Sequence, residues 1–388
     1  MAMQNGFWSG VATAGAGAVL ALTVIAMAGA GEAAEISSGT DLKFWGRAVF
    51  NVHYDTAIQA QDFMSYLTDD QTEELNFNPR DTRFGFAATQ TEGDWTYGAT
   101  LEIDFYGDNA SNNLLPRLRL GYAEAKNAKG LTIRGGQDWI PVAQQNPGTI
   151  DFGIQSWSGD LWWRVPQFTV RYQSGDAEYL VSAMKHRIST DQEMQETMPW
   201  LLGRIGLCDA IGEGSLIAIG GGVRSANEVV FSRIVEEETQ ISTADYSSYL
   251  AALELKVPFG ETGVVLTGEA YIGTGIGREF VHYGFDYNPW HPDGAKEIES
   301  KGGFLSLMIP ASPRIEINAG YGLDDPTDED LAGIAAPYLE NSSIFGNLKY
   351  KVTKNFGWGV EVMHLITDTG GADELAGQRF TGSWWYVF

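Results

Sequence analysis

The 388-residue sequence contains a single cysteine, Cys208, and only half as many basic as acidic residues. One cysteine excludes an internal disulfide and a cluster of thiolate metal ligands. The formal net charge of −25 argues strongly against a nucleic-acid partner, because nucleic acids are themselves densely negative. After residue 30, no apolar run approaches the roughly 20 residues that a spanning helix requires. A mature chain that crosses a membrane would therefore need a closed barrel of strands.

The first part of the chain has the pattern of a secretory signal peptide. Residues 11–30 are uncharged and rich in Ala, Gly and Val, and small residues follow them. This pattern predicts a signal peptide over residues 1–34, cleaved between about residues 28 and 34, and a mature chain of residues 35–388. A retained membrane helix is the alternative, because the run is about long enough to span. No Pro-rich or Ser-rich linker divides the rest, so we expect one domain.

Apolar and polar residues alternate with period two through most of the mature chain. Between Trp95 and Phe105 the odd-numbered residues are all apolar, and the intervening ones are Thr, Gly, Glu or Asp. The same alternation occurs over residues 43–55 and 356–368. This pattern predicts strands that are apolar on one face and polar on the other.

Short turns alternate with long segments along the chain. Seven short turns carry Gly, Pro, Asn or Asp, at residues 92–94, 127–130, 174–176, 209–215, 258–263, 311–313 and 353–355. Eight longer segments lie between them, at residues 56–81, 106–116, 138–160, 187–199, 225–245, 274–301, 322–342 and 369–378. This layout predicts an all-β fold: a transmembrane antiparallel β-barrel of about 16 strands, with short periplasmic turns and long extracellular loops.

The chain ends on a strand with one aromatic face. Phe380, Trp384, Tyr386 and Phe388 share that face, while Thr381 and Ser383 share the other. A strand between lipid and water has this pattern, although an amphipathic edge strand of a soluble domain is the alternative. The stretch resembles the C-terminal assembly signal of bacterial outer-membrane barrels. The resemblance implies a Gram-negative outer membrane, contact with its lipid, and recognition of Trp384, Tyr386 and Phe388 by the barrel assembly machinery.

Strand parity places a set of arginines on the interior face of the predicted barrel. Exposing an arginine to lipid near the midplane would cost about 2–4 kcal/mol, so the inward orientation is favoured. A barrel of this size encloses an aqueous channel. The predicted pore-lining arginines are Arg47, Arg83, Arg117, Arg119, Arg134 and Arg171.

The third long segment, residues 138–160, contains Asp138, Asp151 and Asp160 but no Lys or Arg. We expect it to fold into the pore opposite the arginines and to form a constriction that favours anions. The alternative is that interior acids such as Glu102 and Asp104 neutralise the arginines. The two interpretations predict different ion selectivity.

Five segments together resemble the DcaP-like porins, a family of trimeric sixteen-stranded channels associated with dicarboxylate uptake. The segments are residues 84–86, 93–95, 101–107, 116–124 and 131–139. The resemblance implies a homotrimer, passive diffusion of small anionic solutes, and interior positions for Arg83, Arg119 and Arg134. Glu124 is an exception, because its spacing from Leu118 and Tyr122 predicts the lipid-facing side near the periplasmic rim.

No catalytic, cofactor or metal site is predicted. The five histidines are scattered, and no nucleophile elbow or zinc-binding helix motif occurs. The acidic long loops do not follow the spacing of a calcium-binding loop. We therefore expect a porin rather than an enzyme. An unselective or cation-preferring general porin, and a plugged barrel that acts as a surface binding or adhesion protein, are the alternatives.

Overall fold

A computed structural model describes residues 39–57, 63–68, 72–107, 114–187, 192–235, 238–281 and 285–388. The predicted signal peptide lies outside these ranges. Within them the regular structure consists of strands and two short 3-10 turns. No helix in the described part of the chain is long and apolar enough to cross a membrane, a finding that does not concern strands.

The strands in the described ranges are numbered β1 to β20 in chain order. They are β1 Thr40–Asp55, β2 Glu74–Asn78, β3 Arg83–Glu92, β4 Trp95–Asp104, β5 Arg117–Asn127, β6 Leu131–Trp139, β7 Arg164–Ser174, β8 Ala177–Met184, β9 Gln192–Thr197, β10 Trp200–Cys208, β11 Leu216–Val235, β12 Glu238–Pro258, β13 Val265–Thr274, β14 Tyr287–Asn288, β15 Lys296–Glu297, β16 Glu299–Ser312, β17 Ile315–Pro326, β18 Glu340–Lys351, β19 Phe356–Asp368 and β20 Leu375–Val387.

All of these strands except the small β14–β15 pair belong to one antiparallel sheet, which closes where β1 pairs with β20. The short strands β2 and β3 both pair with β1, and β9 and β10 both pair with β11. Pro79 and Pro199 lie in the two interruptions. Proline has no N–H to donate to a ladder, so it breaks each strand in two. The barrel thus has sixteen strands, as predicted.

The two faces of each strand have the predicted polarity at the seam between β1 and β20. On the outer face the rings of Phe50 and Trp384 lie 6.2 Å apart, centroid to centroid. On the inner face His53 Nδ1 and Thr381 Oγ1 form a hydrogen bond of 2.9 Å between buried side chains. The outward rings and inward polar groups are those of a barrel with lipid outside and water inside.

All seven predicted short turns join consecutive strands, but residues 56–81, 187–199 and 225–245, which were predicted as loops, contain strands of the barrel sheet. Residues 225–245 are largely strand, because β11 and β12 pair from Leu216–Lys256 to Val235–Glu238 with one bulge near Ala226. Part of the predicted loop 56–81 is β2, which pairs with β1, and part of the predicted loop 187–199 is β9, which pairs with β11. Strands of this length extend beyond the apolar band of about 25 Å, and there both faces meet water. The alternation that identifies a strand is therefore lost.

Candidate functional site

The third long loop, residues 140–163, is hydrogen-bonded to strands far from the β6–β7 pair that carries it. Its backbone N–H groups donate to side chains of β12, β13, β16 and β19: Ala143 to Glu254 (3.0 Å), Gln145 to Glu269 (2.8 Å), Gly148 to Ser306 (3.1 Å) and Ile150 to Glu361 (2.6 Å). These carboxylates and the serine are buried on the inner face. In a closed barrel, such contacts require the loop to cross the interior.

The far end of the loop lies directly on the barrel wall. Gly159 has a φ of +98°, and a Cβ at this position would lie 2.2 Å from the carbonyl oxygen of Gly303 and 2.5 Å from that of Leu323. Only glycine combines this backbone conformation with so close an approach. The loop therefore contacts β16 and β17 without an intervening side chain.

Arg379 of β20 connects the barrel seam to the third loop. Its guanidinium donates to both carboxylate oxygens of Asp55 on β1, at 2.7 and 2.6 Å, and to Asp151 of the loop at 2.8 Å. The side chains of all three residues are almost completely buried. Burial raises the pKa of Asp151, and the guanidinium opposes this effect. Arg379 thus holds two strands and the loop together through charged hydrogen bonds.

Each predicted pore-lining arginine lies beside at least one carboxylate. Arg47 and Arg83 both bind Asp81; Arg117 and Arg119 bind Asp104 at 2.7 and 2.9 Å; Arg119 also binds Glu102 at 2.7 Å; Arg134 binds Glu124 at 2.6 Å and also Asp138; and Arg171 lies 3.5 Å from Glu178. The predicted acids Glu102, Asp104, Asp138 and Asp151 are therefore all ion-paired. Most of the arginine charge is balanced locally.

The lipid-facing position expected for Glu124 is wrong. The pairing of β4 with β5 shifts register, with Glu102 opposite Leu120 but Ile103 opposite Leu118. This β-bulge reverses the parity of β5. Glu124 consequently lies with Arg134 on the inner face, where the two side chains form an ion pair.

A cavity of about 430 Å³ lies between the third loop and the inner wall. Five basic side chains line it, Arg47, Arg83, Arg119, Arg164 and Lys349, but only two acidic ones, Asp81 and Asp151. Asp81 is shared by two arginines, and Asp151 is bound to Arg379. The lining therefore carries more basic than acidic side chains, although Arg119 is bound to Glu102 and Asp104, and Lys349 lies 3.5 Å from Glu316.

Three basic residues in this region were missed in the sequence: Arg164 and Lys349 line the cavity, and Arg379 binds its lining residue Asp151. The third loop was predicted to end at residue 160, but the loop extends to residue 163. Arg164, the first residue of β7, was therefore not assigned to the interior face. Arg379 shares the inward parity of Thr381 and Ser383, a signal that the sequence does contain. Lys349 donates to the carbonyl oxygen of Gly148 at 2.9 Å, a loop contact that no sequence pattern indicates.

No group of three or more His, Cys, Asp or Glu side chains within the described ranges could hold a metal ion. The interior acids act instead as partners of arginines and of loop N–H groups. The chemistry available in the interior is hydrogen bonding and charge.

No protein-family model matches the chain, and no curated protein sequence matches it. Solved structures do match over nearly the whole chain. The outer membrane channel DcaP of Acinetobacter baumannii superposes with a TM-score of 0.78 at 20% identity, covering 91% of this chain and 98% of that one. The trimer form of OmpT, an outer membrane protein of Vibrio cholerae, gives 0.56 at 12% identity, with coverage of 90% and 100%.

A third structure, Salmonella typhi OmpF in complex with daunomycin, gives a TM-score of 0.58 at 13% identity, with coverage of 90% and 98%. These likenesses concern the fold, since every identity is low. They agree with the closed sixteen-stranded antiparallel barrel described above. The chain has the fold of the sixteen-stranded outer-membrane porins, and the resemblance to DcaP-like channels predicted from five sequence segments is confirmed at the level of the fold.

Proposed function

We propose that this chain is a passive porin of a Gram-negative outer membrane, assembled as a homotrimer, that favours small anionic solutes. The observation that carries the proposal is the cavity beside the third loop, where five basic side chains face two acids. The closed barrel with an apolar outer face supports the membrane location. The trimer form among the similar structures supports the assembly.

The magnitude of the preference follows from the unpaired charge. A positive unit charge about 7 Å from a permeating anion lowers its free energy by about 0.6 kcal/mol in bulk water, which is about threefold in an equilibrium constant. Ion-paired arginines contribute little at that distance, because their fields are cancelled. A surplus of one or two charges thus favours anions while leaving binding weak enough for exit.

The interior acids do not reverse this preference, although they are numerous. Glu254, Glu269 and Glu361 accept hydrogen bonds from the third loop and are buried. Glu102 and Asp104 are bound to arginines. A cation-preferring pore would need acids that face the water path, and those lining the cavity are already bound to arginine.

One observation favours a second candidate, a barrel with a closed pore that binds a ligand at the surface. Ile140 and Leu161 of the third loop pack in one buried cluster with Phe280, Val281 and Tyr338, which lie in two other long loops. Such packing narrows the extracellular side. The plugged barrel would conduct no ions.

Planar-bilayer recording of the purified protein distinguishes these functions. We expect conductance that closes in three steps and a reversal potential of anion-selective sign under a potassium chloride gradient. A cation-selective sign would refute the anion path and leave the porin. A complete lack of conductance would refute the porin and favour the plugged barrel.

A further inference from the structure

Arg164 differs from the other arginines that line the cavity. It is the first residue of β7, where the third loop ends, and its side chain is only 9% exposed. Its guanidinium carbon lies 4.6 Å from the ring centroid of Trp139 and 5.0 Å from that of Trp162. The guanidinium thus contacts two indole rings of the cavity wall, whose own centroids lie 6.3 Å apart.

No carboxylate within the described ranges forms an ion pair with Arg164. Asp104 attracts Arg164 electrostatically, but Asp104 is already bound by Arg117 and Arg119. The Nη1 atom of Arg164 is buried without a hydrogen-bond partner. All six predicted pore-lining arginines, in contrast, have a carboxylate within 4 Å.

An unpaired buried guanidinium is unfavourable unless something compensates its charge. The two indole rings compensate part of it through cation–π attraction. Arg164 also lines the cavity, so a solute in the cavity can reach its guanidinium. A guanidinium presents a fork of N–H donors that matches a carboxylate in two parallel hydrogen bonds.

We propose that Arg164 is the residue that binds the carboxylate group of permeating solutes and sets the anion preference of the pore. This inference rests on the proposed porin function. It assigns the selectivity to one arginine that lacks an acidic partner, and it assigns the six ion-paired arginines to holding the wall and the loop. Trp139 and Trp162 act as positioning residues, because both rings contact the guanidinium.

The test compares Arg164→Gln with Lys126→Gln in planar bilayers under gradients of potassium chloride and potassium acetate. Lys126 is the matched control, since its removal changes the interior by the same unit charge but its ammonium already lies 2.9 Å from Glu124. We expect Arg164→Gln to lower the acetate-to-potassium permeability ratio about threefold, and Lys126→Gln to lower it by less than about 1.5-fold. Heat-shifted electrophoretic mobility shows whether each barrel is folded.

Arg164→Lys tests the hydrogen-bonding geometry of the guanidinium separately from its charge. It tests carboxylate binding even if Arg164→Gln does not fold. A lysine retains the charge but cannot form two parallel hydrogen bonds. We expect the chloride-to-potassium ratio to stay near the wild-type value while the acetate ratio falls. An acetate ratio that Arg164→Lys leaves unchanged would refute carboxylate binding by the fork.

The outcomes separate this inference from the proposed function. Equal losses in Arg164→Gln and Lys126→Gln, or no loss in Arg164→Gln, would overturn the assignment to Arg164 while the wild-type protein remained a porin. A wild-type protein that does not conduct would overturn both. A loss confined to the Arg164 variants supports the assignment.

Discussion

Replacing Arg379 should destabilise the barrel more than replacing any exposed arginine. Arg379→Met keeps much of the side-chain volume but removes the guanidinium that binds Asp55 and Asp151. Both carboxylates are buried and would be left without their cation. The change therefore weakens the closing seam and the third loop together.

The magnitude follows from the two ion pairs. Removing one partner of a buried pair costs about 3–5 kcal/mol, because the other charge stays buried and uncompensated. Here one cation serves two carboxylates, which places the expected loss near the upper end, about 5 kcal/mol. Gly153 N–H still donates to Asp151 at 2.8 Å, so the loop carboxylate keeps part of its stabilisation.

The measurement is urea unfolding of the protein in detergent micelles, followed by tryptophan fluorescence and by electrophoretic mobility. Arg314→Met is the matched control, since Arg314 lies exposed in a turn and forms no ion pair with a described residue. We expect the control to unfold within about 0.5 kcal/mol of the wild type. An Arg379→Met protein as stable as the control would refute the argument that the seam depends on this cation.

Three further changes test other parts of the structure. Glu361→Ala removes the acceptor of the Ile150 N–H at 2.6 Å, so the third loop should loosen and single-channel conductance should rise; an unchanged conductance would contradict the anchoring role. Burial and the neighbouring Asp286 raise the pKa of Glu279 in the loop between β13 and β16 to about 8. A carboxyl with a raised folded-state pKa stabilises the fold least at high pH. The hydrogen-exchange protection factors of this loop, which are corrected for the intrinsic base-catalysed rate, should therefore fall between about pH 4.5 and pH 8, and Glu279→Gln should abolish that fall. Phe388→Ser should lower the yield of folded barrel in cells without changing the urea midpoint of the protein that does fold, because the Phe388 ring is 60% exposed and contributes little to packing; a normal yield would remove the proposed assembly signal.

The barrel was predictable because two sequence signals agree: the apolar–polar alternation of its strands and the turn residues between them. Alternation between Trp95 and Phe105 follows from a wall that has lipid on one side and water on the other. Glycine and proline between such runs place the turns. Both signals are local in the sequence, and they depend on no contact between distant residues.

The β11–β12 hairpin was not predictable by the same reasoning. Its twenty or so residues per strand, at about 3.3 Å each and tilted by about 40°, reach some 50 Å, roughly twice the apolar band. In the projecting half both faces meet water, and polar side chains such as Arg233 and Gln240 pair across the strands. Only the register of the pairing, which is a long-range property, reveals the strand.

The candidate site was predictable in its residue types but not in its pairing. Strand parity brought the arginines to one face, but their partners depend on register and on the loop. The bulge near Leu120 moved Glu124 to the inner face, and the loop boundary hid Arg164. Those contacts determine which arginine is left without a carboxylate partner.

The carboxylates that hold the third loop also count toward the charge of the pore. Glu254, Glu269 and Glu361 accept loop N–H groups, so a substitution that removes one of them changes both the interior charge and the position of the loop. Aperture and selectivity therefore cannot be adjusted separately at these three positions. An engineered or evolving variant can alter selectivity alone only at residues that do not hold the loop, which directs such changes to the opposite side of the cavity.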